Sequence, residues 1–130
     1  MYVENKNVPL TDLGGGVVRK VLAYSENLMN VELKFEKGAI GAKHSHPHEQ
    51  IGYIISGSLL FQEEGKEDKI LVTGDSYYVE PDVVHGSAGR DHAAGYLYTN
   101  EKRFRGIKNH NKGEVRETVS FPRLLPYFSL

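Results

Sequence analysis

The feature that most limits what this chain can fold into is a series of short runs rich in Val, Ile, Leu and Tyr, separated by Gly, Asp and Asn. Runs of this kind at intervals of roughly 8–12 residues are typical of an all-β sandwich or barrel, and a sustained helical period is not visible. The predicted strands are residues 17–23, 30–35, 42–48, 50–55, 59–62, 68–72, 76–79, 83–87 and 93–98. The sequence therefore predicts an all-β fold.

The length of 130 residues suits one domain, since compact domains most often contain about 100–150 residues. We expect a single domain over 1–130, with the core of the barrel at about 12–99 and a tail at 105–130. That tail regains apolar residues such as Phe121, Leu125 and Phe128. An exposed apolar tail would promote aggregation, so we expect it to pack on the barrel or on a partner subunit in a homodimer.

Charge and composition narrow the possible partners. The 16 basic and 17 acidic residues are interspersed and leave a net charge of −1, so no broad positive field is available for nucleic acid. No run approaches the ~18 apolar residues that a membrane span requires, and the N-terminus lacks an apolar leader, which predicts a cytoplasmic protein without a membrane partner. Because the chain contains no cysteine, any metal site must use nitrogen and oxygen ligands.

Three histidines alternate along one predicted strand, at His44, His46 and His48. Side chains two residues apart on a strand share a face, so the three imidazoles are expected to point the same way. Neutral imidazole is the commonest protein ligand for transition metals, although a solvated surface strand is an alternative interpretation. Pro47 cannot donate to a strand ladder, and the irregularity it permits gives Gln50 a route to the same place.

The spacing around these histidines resembles the first motif of the cupin superfamily, G-x5-H-x-H-x3,4-E-x6-G. Gly38, His44, His46 and Gly57 match it with every interval intact, and Gln50 stands where the family most often has Glu.

A second segment resembles the other cupin motif, G-x5-P-x-G-x2-H. Gly74 and His85 match it at the correct separation, whereas Glu80 occupies the proline position and Asp82 the glycine position. Aspartate tolerates the left-handed backbone region better than most residues, so the turn remains feasible at Asp82.

The resemblance implies a single-domain cupin β-barrel, also described as a double-stranded β-helix or jelly roll. It implies one divalent transition metal ion, Zn, Ni, Fe or Mn, with His44, His46, Gln50 and His85 as ligands. His48 matches no ligand position, and we expect it to line the pocket or to be hydrogen-bonded at its rim.

The phrase His-Ser-His-Pro-His-Glu-Gln-Ile-Gly-Tyr is similar to that of the cupins of pectin and alginate breakdown, which open unsaturated uronates to linear keto-sugars with a His/His/Gln/His metal site. Those proteins usually add a D-x-F-x-P-x-R pattern on the strand after the second motif. Here Tyr96 stands at the Asp, Tyr98 at the aromatic residue and Lys102 at the Arg, so Tyr98 and Lys102 are the candidate catalytic residues. For these two residues, a core tyrosine and an exposed lysine are the alternative. Tyr53, Tyr78 and Tyr96 are candidate pocket residues, and for Tyr53 and Tyr78 packing in the core is the alternative.

With Tyr96 at the Asp position, the chain lacks the general acid or base that the resemblance implies. We therefore consider three hypotheses for the function. The first is a metal-dependent isomerase of unsaturated uronates or a related sugar-acid enzyme. The second is an iron dioxygenase, and the third is a non-catalytic cupin that binds or senses a small ligand. The partner in all three cases is a small oxygenated molecule.

Overall fold

The computed structural model describes residues 1–100, so Lys102 and the predicted tail at 105–130 lie outside the described residues. A short 3₁₀ turn at Asn5–Asn7 precedes the strands. The strands are β1 Thr11–Gly14, β2 Val17–Tyr24, β3 Leu28–Phe35, β4 Gln50–Ser56, β5 Ser58–Glu63, β6 Lys69–Val72, β7 Ser76–Val79, β8 His85–Gly89 and β9 Ala93–Asn100. The 3₁₀ turn is the only helical element in this part of the chain, which therefore holds no membrane-spanning helix. The predicted all-β class is confirmed.

The strands form two sheets in which every paired neighbour is antiparallel. The larger sheet has the order β1-β2-β3-β9-β4-β7, and the smaller one has the order β6-β5-β8. Strand β9 returns from the end of the described chain to lie between β3 and β4. This crossover places the last described strand beside Gln50, the first residue of β4.

An apolar core fills the space that the sheets enclose. Strand β3 contributes Met29, Val31, Leu33 and Phe35 at alternate positions, and each is at most 6% exposed. Leu59 from the smaller sheet belongs to the same cluster, so both sheets share one core. Burying each such side chain stabilises the fold by roughly 1.5–3 kcal/mol.

The predicted strand at 42–48 is wrong. Around it the chain makes only two isolated bridges, Ile40 with Ala88 and His44 with His85. Pro47 lacks the N–H that a ladder needs, so regular pairing resumes only at Gln50. Strand β1 was not predicted, because its sequence, Thr-Asp-Leu-Gly, carries little of the apolar alternation that marks a strand.

The turn before β8 contains Asp82, the only residue other than glycine with a positive φ, 66°, among the described residues. The expectation that aspartate at this position supports a left-handed turn is confirmed. The Asp82 backbone N–H donates a 2.7 Å hydrogen bond to the carbonyl oxygen of His46. The turn thereby fixes the loop that carries the first two histidines against the segment that carries His85.

Candidate metal centre

His44 and His85 are held opposite each other by the backbone. Each residue's N–H donates to the other's carbonyl oxygen at 2.9 Å, which forms an isolated antiparallel bridge. Residues that are directly opposed in an antiparallel pair project to the same side. The two imidazole centroids are therefore only 4.5 Å apart.

His46 and Gln50 complete the cluster from the loop and from the start of β4. Both side chains are 2% exposed. The His46 centroid lies 5.4 Å from that of His44 and 4.8 Å from that of His85. The Oε1 atom of Gln50 lies 3.0 Å from Nε2 of His46.

The three histidines can each offer one nitrogen such that all of these atoms lie within 4.8 Å of one another. Two ligand atoms that are each about 2.1 Å from an ion and at right angles are about 3.0 Å apart. The 3.0 Å separation of the His46 and Gln50 atoms fits that spacing. The three histidines could thus hold one divalent ion, and the Gln50 oxygen lies beside His46 at a spacing that suits a fourth ligand.

Backbone carbonyl oxygens orient all three imidazole rings. Nδ1 of His44 lies 3.1 Å from the Ala42 oxygen, and Nδ1 of His85 lies 2.9 Å from the Val83 oxygen. Nδ1 of His46 is 2.7 Å from the oxygen of His48. Because a carbonyl oxygen only accepts, Nδ1 carries the proton in each ring and Nε2 is left as the electron-pair donor. Fixing the tautomer in this way is typical of histidines that bind metals.

The electrostatics of the cluster favour neutral imidazoles. Burial lowers the pKa of His46, and it lowers the pKa of His85 to about 4. Nε2 of His85 is buried and has no hydrogen-bond partner among residues 1–100. A neutral His46 would moreover direct the lone pair of Nε2 at the lone pairs of Gln50 Oε1, which repel unless a cation lies between them. This arrangement of donor atoms suits a cation.

His48 lies beside the cluster but is not one of the three converging histidines. Its ring stacks on His46 with the centroids 4.2 Å apart and the planes 5° apart, and it is 3% exposed. Burial lowers its pKa to about 3, so it remains neutral at physiological pH. The expectation that His44, His46 and His48 share one strand face fails with the strand itself, and His48 instead supports the His46 ring.

The structure does not bring the candidate tyrosines to the cluster. Gln50 and Gly52 are buried on the inner face of β4, so Tyr53 lies on the outer face. Tyr78 on β7 and Tyr98 on β9 also lie on the outer face, because both are paired with Ile51 of β4. The exposed fraction is 44–46% for Tyr53, Tyr78 and Tyr98. Tyr96 is paired with Tyr53 and is half-buried.

Two inward-facing residues were missed by the sequence analysis. Thr99 pairs with Gln50 across β4 and β9, is 1% exposed, and has a buried Oγ1 without a hydrogen-bond partner among the described residues. Tyr77 pairs with Gly52, and its hydroxyl oxygen accepts a 3.2 Å hydrogen bond from Nε2 of Gln50. The available signal was strand alternation, which places Tyr77 and Thr99 on the face opposite Tyr78 and Tyr98.

A family model matches most of the described strands, in agreement with the β fold and the histidine cluster. Residues 31–98 match the cupin domain family, so the chain belongs to the cupins. The predicted cupin fold is thereby confirmed.

Three individual proteins illustrate the similarity of this chain to other cupins. The pectin degradation protein KdgF of Dickeya dadantii is 42% identical over 86 residues, which cover 65% of this chain and 77% of that protein. A solved RmlC-like cupin from Shewanella frigidimarina is 30% identical, with a TM-score of 0.74 over 81% of this chain and 94% of that one. The solved KdgF from Halomonas sp. is 29% identical, with a TM-score of 0.74 over 82% of this chain and 99% of that one. The resemblance to cupins of pectin breakdown is confirmed.

Proposed function

We propose that this cupin binds one divalent transition metal ion through His44, His46, Gln50 and His85, and uses it to act on a small unsaturated sugar acid. The observation that carries the proposal is the convergence of three oriented imidazoles within 4.8 Å of one another. The 42% identity to a protein named for pectin degradation supports the choice of substrate class.

A divalent ion held here would supply Lewis acidity toward a carbonyl or hydroxyl oxygen of the ligand. The protein's part is to hold that ion without neutralising it, because three imidazoles and the Gln50 amide are all uncharged ligands. A glutamate at residue 50 would bind the cation more tightly and would weaken its pull on substrate oxygens. The amide therefore favours polarisation of a ligand over affinity for the metal.

Thr99 is the residue that we assign to contact with the sugar acid, in place of Tyr98. Its Oγ1 is buried on the inner face of β9, directly across from Gln50, and lacks a partner among residues 1–100. A buried hydroxyl without a partner costs free energy, which a hydroxyl or carboxylate of the ligand would recover. Tyr98 lies on the opposite face, and Lys102 lies outside the described residues.

The ligand set is tested by metal content. After equilibration with Zn²⁺, Ni²⁺, Fe²⁺ or Mn²⁺ at neutral pH, we expect about one ion per chain in the native protein. His44→Ala should abolish this binding and Gln50→Glu should tighten it. Unchanged metal binding in both variants would refute the ligand assignment.

The activity is tested by incubating the metal-loaded protein with unsaturated uronates and following the ultraviolet absorbance of the conjugated double bond. We expect the absorbance to fall with time, and we expect Thr99→Val, which preserves shape but removes the hydroxyl, to slow this loss. Tyr98→Phe is the matched control and should leave the rate unchanged. A rate equal to the background without protein would exclude the isomerase.

The same metal-loaded protein separates the two alternative functions. Iron as the bound metal, together with oxygen uptake on adding catechol-like or diketone substrates, would identify a dioxygenase. Metal binding with saturable uronate binding but no turnover would identify a ligand-binding cupin, in keeping with the missing Asp.

A further inference from the structure

A half-buried tyrosine, Tyr77, lies beside the side-chain amide of Gln50. The Gln50 side chain ends in an oxygen and a nitrogen of nearly equal size, and only the oxygen can bind a cation. Its Nε2 donates to the hydroxyl oxygen of Tyr77 at 3.2 Å, which leaves Oε1 at 3.0 Å from Nε2 of His46. Rotation of the amide by half a turn would present N–H groups to the cation and would remove one ligand.

The Tyr77 ring is itself held in place by its neighbours. It stacks on Phe61 with the centroids 4.3 Å apart and the planes 24° apart. The ring also lies against Gly52, where an added Cβ would overlap it. A hydrogen-bond acceptor is therefore fixed beside the amide nitrogen.

We propose that Tyr77 is a positioning residue that keeps the Gln50 oxygen, rather than the nitrogen, directed at the metal. This inference rests on the proposed metal site but not on the proposed substrate. A cupin with glutamate at this position has no need of such a device, because its two carboxylate oxygens are equivalent. With glutamine, the hydroxyl of Tyr77 accepts a hydrogen bond; with glutamate, it would donate one and draw charge away from the ligand.

The Tyr77 hydroxyl accepts a hydrogen bond from glutamine but would donate one to glutamate. Tyr77→Phe should therefore have different effects on metal affinity in the native protein and in the Gln50→Glu variant. In the native protein, Tyr77→Phe should weaken binding of Ni²⁺ or Co²⁺ by about tenfold, the lower end of what loss of a partner to a metal ligand costs. In the Gln50→Glu background, Tyr77→Phe should leave affinity unchanged or increase it. The measurement is competition with a chelator at pH 7.5, and Tyr78→Phe, which removes an outer-face hydroxyl, is the control expected to have no effect.

A second measurement does not require the metal. In the native protein the two Gln50 side-chain N–H protons should differ in hydrogen exchange, because one is bonded to Tyr77, and Tyr77→Phe should remove the difference. This readout also decides the matter if the phenylalanine variant binds metal poorly for reasons of folding. Equal loss of metal affinity in both backgrounds, or none in the native one, would overturn the role of Tyr77 while leaving the ligand set intact. Absence of metal binding by the native protein would instead overturn the site itself.

Discussion

Replacing Gly52 with alanine is expected to damage both stability and metal binding, although the change adds a single methyl group. The new Cβ would overlap the aromatic ring of Tyr77 and would lie 2.6 Å from its hydroxyl oxygen. The ring cannot move away freely because it also stacks on Phe61. Overpacking of this kind typically costs about 1–3 kcal/mol.

For a chain of 130 residues, each kcal/mol lowers the melting temperature by roughly 4 °C. Gly52→Ala should therefore melt about 4–12 °C below the native protein in a calorimetric scan of the metal-free form. Since displaced Tyr77 no longer holds the Gln50 amide, metal affinity should fall as well, by up to about tenfold.

Gly65→Ala is the matched control. Gly65 has a φ of +79°, so alanine there costs roughly 1 kcal/mol of backbone strain, but nothing lies within 4 Å of the added Cβ. It should lower the melting temperature slightly and leave metal affinity unchanged. Adding Tyr77→Leu to Gly52→Ala should recover part of the stability, because the smaller side chain relieves the overlap. If Gly52→Ala melts within about 2 °C of the native protein and binds metal equally well, the reasoning is refuted.

Three further predictions concern acid, the left-handed turn and assembly. Burial lowers the pKa of His85 to about 4 and of His48 to about 3, below the ~6.5 of an unfolded histidine, so the unfolded chain takes up more protons below pH ~6.5. Stability of the metal-free protein in urea should be fully present above that pH and should decline by up to ~1.4 kcal/mol per histidine per pH unit as pH falls toward about 4. A flat profile from pH 7.5 to 5 would contradict this, and His48→Phe should reduce the slope. Asp82→Gly should not lower the melting temperature, because glycine adopts a φ of 66° without strain. Asp82→Val should lower it, because a β-branched residue is strained there. A lower melting temperature for Asp82→Gly than for Asp82→Val would show that the side chain of Asp82 matters more than its backbone conformation. The full chain should sediment as a homodimer, and a monomer would contradict that prediction.

The residues proposed as ligands were selected from the sequence even though the strand predicted to carry three of the histidines is wrong. His44, His46 and His85 are separated by intervals that the cupin motifs also show, and these intervals survive the loss of the predicted strand at 42–48. The backbone bridge between His44 and His85 brings the rings together instead. Such a bridge depends on two distant segments meeting, which local alternation does not reveal.

The tyrosines show why the rest of the pocket was harder to predict. A change of one residue in register moves every side chain of a strand to the other face. Tyr77 and Tyr78 are adjacent, and only the pairing of Val79 with Gln50 determines which of them faces inward. On β9 the comparison with the D-x-F-x-P-x-R pattern selected Tyr96 and Tyr98, whereas the pairing of Thr99 with Gln50 places Thr99 inside.

Two of the four proposed ligands lie in different sheets. Gln50 begins β4 in the larger sheet, and His85 begins β8 in the smaller one. An ion that binds both residues would act as a cross-link between the layers, and unfolding would have to release it. At a free metal concentration a hundred times the dissociation constant, such binding adds about 2.7 kcal/mol to the free energy of unfolding. The melting temperature of this cupin should therefore report how fully the proposed metal site is occupied.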